Sequence, residues 1–147
     1  MESSDNIKKP FGFRFWQYQK ERFPVFAHGL LIVSFTFSAV SYSRLSRGVE
    51  TFIPFRDFWP GAIVVFCLFL LMRILDEHKD RKNDARYRAY LPVPRGLVSL
   101  KELRMLGIVL IAVQLLIILV YQWALLPLYL LTMVFLALMT VEFFVPD

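Results

Sequence analysis

Four carboxylates crowd into nine residues of this chain: Asp76, Glu77, Asp80 and Asp84. Asp76, Asp80 and Asp84 recur every fourth position, and Glu77 stands three before Asp80. On a helix, residues three and four apart are surface neighbours, so this spacing predicts one acidic stripe. Like charges on such a stripe repel, and a cation relieves the repulsion. Mg²⁺ takes hard oxygen ligands and commonly shares its shell between one or two carboxylates and substrate phosphates. The chemistry the stripe points to is therefore a metal-bridged diphosphate. The plainer alternative is a solvated face, because Arg73, Lys79, Arg81, Lys82, Arg86 and Arg88 interleave with the acids and make ordinary i,i+4 pairs.

The elements that would carry the stripe are apolar. Of 147 residues, 57% are hydrophobic, above the roughly 45–50% of soluble domains. A membrane-spanning helix needs about 20 predominantly apolar residues, and four windows approach this: Pro24–Tyr42, Phe58–Leu75, Met105–Tyr121 and Ala124–Val141. Four such windows leave too little chain to wrap them in a soluble shell. The expectation is an all-α integral membrane protein with four transmembrane helices: a segment over 1–23, then a four-span domain over 24–147. The second span is predicted to run unbroken into the stripe. Pro24 and Pro127 fall near the starts of spans one and four, where a missing N–H costs little.

Basic residues set the expected topology. Five Lys and Arg precede the first span, three (Arg44, Arg47, Arg56) separate spans one and two, and nine lie from Arg73 to Arg104. The positive-inside rule then places both termini and the Asp-rich loop 76–103 in the cytoplasm, in a bacterial inner membrane. The net charge of +5 reads as basic residues held at that surface, facing lipid and not nucleic acid. Trp16, Tyr18, Trp59, Tyr121 and Trp123 fall where interfacial rings anchor helices. The first 23 residues lack the apolar core of a signal peptide. Cys67, the one cysteine, has no disulfide partner, and His28 reads as an interface residue.

Beyond the stripe, Pro92-Val93-Pro94-Arg95-Gly96 enforces a turn, and Ser99 with Glu102 has the spacing of a capping box that starts the third span. At this point the chain resembles the UbiA-type intramembrane prenyltransferases. Asp76-Glu77-x-x-Asp80-x-x-x-Asp84 is similar to that family's first acidic motif. Pro92-Val93-Pro94-Arg95-Gly96-Leu97-Val98-Ser99 is similar to the turn that follows it. The resemblance implies half of a UbiA-like helical bundle. It implies Mg²⁺ on Asp76, Glu77, Asp80 and Asp84, an isoprenyl diphosphate donor, and prenyl transfer to an aromatic or other lipophilic acceptor. Arg22, Arg73 and Lys79 become candidates for diphosphate contact. Arg88 joins them as the substitute for an Arg that the family carries where this chain has Leu91.

The family also carries a second Asp-rich motif in its C-terminal half. After Asp84 the only acids here are Glu102, Glu142 and Asp147. The resemblance thus covers the first half of the family alone, and implies a partner chain supplying the other half. The alternative is a non-catalytic four-span membrane protein that keeps the motif as a remnant. A small transporter ranks last, since Ser34, Thr36, Ser38, Ser41, Gln114 and Thr132 are the only polar residues for a pathway.

Overall fold

The computed structural model describes residues 9–140. Its elements are helical: α1 (Phe11–Arg22), α2 (Val25–Leu45), α3 (Phe55–Lys79), α4 (Arg81–Tyr87), α5 (Leu100–Tyr121), a 3₁₀ turn (Trp123–Leu125) and α6 (Leu126–Thr140). Four stretches are long and apolar enough to cross a bilayer: Val25–Leu45, Phe55–Lys79, Leu100–Tyr121 and Trp123–Thr140. Each overlaps one of the four windows read from the sequence; Val141, the end of the last, lies outside the described residues. The chain is an all-α, multi-pass membrane protein.

The distribution of apolar surface follows from that solvent. Phe26, Leu30, Phe35, Leu116, Leu131 and Val134 point outward, which an aqueous protein would not tolerate over so continuous an area. Inside, α3 is the hub and packs against α2, α5 and α6. Ile32 of α2, Cys67, Leu70, Leu71 and Ile74 of α3, and Leu103 and Leu110 of α5 form its core. Close α3–α5 approach is made by Gly107, over which an added Cβ would lie 3.4 Å from Leu71.

Helix ends follow local chemistry. Ser99 and Glu102 form the predicted capping box at the start of α5. Beyond α2 the chain reverses through Gly48, whose φ of 72° is a left-handed conformation that glycine adopts without a side-chain clash. The Val49 N–H donates across that turn to Arg44 O at 3.0 Å.

The second span runs unbroken into the stripe, as far as Asp76 and Glu77: α3 ends at Lys79, and Asp80 (φ −80°, ψ 3°) separates it from α4. One expectation is corrected. Tyr18 is not an interfacial ring; it is fully buried in the core. Trp16, two residues earlier, is half exposed on the opposite side of α1.

Candidate functional site

The site forms where α1, the end of α3, α4 and the loop over 88–99 meet. On α1, Arg14, Tyr18 and Arg22 recur every fourth position, so one face of the helix carries all three. That face turns inward: Arg14, Tyr18 and Gln19 are buried. Gln19 Oε1 accepts a hydrogen bond from the Val25 N–H at 3.1 Å, tying the end of α1 to the start of α2. Arg22, the last residue of α1, is thereby held against the acids of α3 and α4.

Around Arg22 the acidic stripe divides in two. Glu77 and Asp84 are buried. Arg22 Nε donates to Glu77 Oε1 at 2.6 Å, and Arg22 Nη2 stands 4.0 Å from Asp84 Oδ2. Arg73 Nη2 reaches the same Glu77 oxygen at 3.2 Å, and Arg88 Nη1 lies 3.5 Å from Asp84 Oδ1. Three guanidinium groups thus surround two buried carboxylates. Buried charge of either sign is costly unless paired, and here each member has a partner.

Asp76 and Asp80 belong to the other side. The Asp76 side chain is about half exposed and meets Arg73 Nη1 at 3.7 Å. With Lys79 it lines a hollow of ≈ 170 Å³ against Phe135, Leu136 and Met139 of α6. Asp80 is half-buried at the break, its N–H donating to Asp76 O at 2.8 Å.

Glu77 and Asp84 stand seven positions apart, two helical turns, on either side of the break at Asp80, and Arg22 reaches both.

The loop closes the site from below. Leu91, Pro92, Leu97 and Val98 are buried, and Gly96 (φ 77°) permits the reversal in which the Leu97 N–H donates to Pro92 O at 2.9 Å. Leu91, at the position where the resembled family has an arginine, is therefore an apolar plug 8% exposed. Arg95 donates to Glu21 Oε1 at 2.7 Å and to Tyr90 O at 3.0 Å. That bond holds the Glu21 carboxyl below the usual range. Arg14 binds both oxygens of Glu102 and donates to Leu97 O at 3.1 Å. Burial, with the Glu77 charge, raises the Tyr18 phenol well above its ordinary value.

Arg14, Tyr18, Glu21 and Arg95 join the site although no motif in the sequence marks them as site residues. The four-residue recurrence of Arg14, Tyr18 and Arg22 was a legible sign of a buried polar face. The Arg95–Glu21 and Arg14–Glu102 pairs span 74 and 88 residues, and spacing carries no such information.

As a Mg²⁺ site the donor class fits, since all four carboxylates offer hard oxygens. Among the described residues, however, no group of three His, Cys, Asp or Glu side chains is placed to hold a metal ion. Glu77 and Asp84 already face guanidinium. Asp76 and Asp80, one helical turn apart, suit a cation that takes its remaining ligands from phosphate and water rather than from a closed protein cage. No protein-family model, curated protein or solved structure matches the chain.

Proposed function

We propose that the Arg22–Glu77–Asp84 end of the bundle is the donor-holding wall of an intramembrane prenyltransferase, and that it receives the diphosphate of an isoprenyl diphosphate. The observation that carries this reading is the convergence of Arg22, Arg73 and Arg88, three cationic forks, beside the Asp76–Asp80 turn. Arginine forks match phosphate oxygens bidentately. Asp76 and Asp80 would hold Mg²⁺, whose chemistry is to neutralise the charge that develops on a departing diphosphate. Lys79, beside Asp76, adds a fourth cation to that side. The isoprenyl chain would lie along the apolar flank of the bundle. In this reading the chain holds the donor, and transfer to a lipophilic acceptor requires a second acidic wall from a complementary half.

A second reading is favoured by the same ion network. Arg22, Arg73 and Arg88 already satisfy Glu77 and Asp84, as they would if the cluster served only to fasten α1 and α4 to α3. That is the non-catalytic four-span protein.

Binding separates the two. Farnesyl diphosphate is titrated by calorimetry into the purified protein in detergent, with Mg²⁺ or with chelator. The first reading expects Mg²⁺-dependent binding, weakened at least tenfold by Asp76→Asn with Asp80→Asn, while farnesol gives no comparable signal. Equal heats with Mg²⁺ and chelator, or none, would leave the fastening role.

A further inference from the structure

A second concavity lies at the other end of the bundle. A groove of ≈ 620 Å³ runs between α3, α5 and α6, lined by Gly61, Val64 and Leu68 of α3, Gln114 and Ile118 of α5, and Tyr129 of α6. That volume is in the range of small-molecule sites, which bury a ligand in apolar surface with a few fixed polar groups. Asp57, at its mouth, and Glu77 are twenty positions apart on α3, about 30 Å along the axis. The groove is therefore separate from the acidic end.

Two polar side chains on its wall are unsatisfied. Gln114 is fully buried, and its Nε2 donates to Leu110 O at 3.0 Å, which leaves Oε1 with no hydrogen-bond partner among the described residues. Tyr129 is 7% exposed, and its hydroxyl also lacks one. A buried polar atom left unmade is costly in an apolar setting, and native structures satisfy nearly all of them. Gln114 Oε1 only accepts, so whatever satisfies it must bring a donor. At the mouth, Arg56 and Asp57 pair with each other at 3.4 Å, so the rim offers no net charge to recruit an ionic head.

We infer that this groove binds a neutral, hydroxyl-bearing lipid, with its chain along Val64, Leu68 and Ile118 and its hydroxyl donating to Gln114 Oε1. The binding is independent of any role of the acidic end. A fatty alcohol and a monoacylglycerol both carry the required group; a phosphatidylcholine does not.

The test is photolabelling of the full chain in phosphatidylcholine nanodiscs, using a long-chain alcohol with a diazirine beside the hydroxyl carbon. Oleyl alcohol, monoolein and oleyl methyl ether compete. The expected result is label on peptides covering 60–68 and 114–132. Either hydroxyl lipid should compete at least tenfold better than the ether, which has no donor. Their relative potency identifies the head. Gln114→Leu should reduce that preference to within twofold. Gly61→Leu, at a position with nothing within 4 Å of an added Cβ, should fill the groove and remove the label while far-UV helicity is retained. Label spread evenly over the outward faces, or equal competition by ether and alcohol, would mean that bulk lipid merely solvates the groove. Cross-links between copies through the groove, with no displacement by alcohol, would assign it to a protein helix. Either result overturns the inference.

Discussion

Arg22 is the residue on which the acidic end depends. It approaches both buried carboxylates, and Arg73 shares Glu77 with it. Removing one partner of a buried ion pair typically costs ~3–5 kcal/mol, whereas replacing the set with apolar groups of similar size is often neutral. Arg22→Met should therefore lower the unfolding free energy in mixed micelles by about that amount, and Arg22→Met with Glu77→Leu should recover most of it. Equal losses in single and double variants would contradict the pairing. Glu21 and Arg95 make a more exposed bond, so their tie is worth only ~0.2–1 kcal/mol. Its pH dependence has a definite sign. The folded-state carboxyl titrates below its ordinary value, so the stabilisation is present above roughly pH 4.3 and fades as pH falls through the folded value. The difference in thermal midpoint between wild type and Glu21→Gln should be present at pH 7 and shrink as pH falls below the ordinary carboxyl range.

At the scale of elements, helix starts were readable because capping is local. Ser99 and Glu102 announced the beginning of α5 by spacing alone, and the capping box is present. The break at Asp80 was not readable. Nothing in the sequence from Asp76 to Tyr87 forbids a continuous helix, and the Arg22 that meets Glu77 and Asp84 across the break lies more than fifty residues earlier. Glu102 shows the same layering, since it caps α5 locally and binds Arg14 of α1 from a distance. Ser99→Ala should thus cost ~1 kcal/mol, the ordinary value of a lost N-cap. Glu102→Ala should cost ~2–3 kcal/mol, because it also leaves the buried Arg14 without its carboxylate. Hydrogen exchange checks the distinction. The serine variant should loosen amides in the first turn of α5 only, and the glutamate variant should loosen those of α1 as well.

At the scale of the molecule, the spans are arranged around α3, with the basic loop and α1 at one end and the groove at the other. The clustering of Lys and Arg predicts that the α1 end faces the cytoplasm. Replacing Cys67, the lone cysteine, with alanine allows single cysteines to report sidedness. A cysteine at Lys82 should be reached by a membrane-impermeant maleimide only in inside-out vesicles, and one at Phe52 only in right-side-out vesicles. The opposite pattern would invert the topology and put the proposed diphosphate site on the outer face.

What the chain determines by itself is whatever depends on local composition. Four runs of apolar residues demand four spans because hydrocarbon rewards them wherever they pack, and Pro, Gly and Ser-x-x-Glu mark where helices turn and start. The acidic stripe was likewise visible as a set of residues. Tertiary structure decided how that set divides: Glu77 and Asp84 are drawn inward to Arg22, while Asp76 and Asp80 stay on the other side beside Lys79. It also decided that Tyr18 is core and not an interfacial ring, and that Gln114 lies unsatisfied on a groove wall. Those outcomes come from pairings across many tens of residues. Their energies depend on burial and on distances of a few ångströms, and neither quantity exists until the helices have packed.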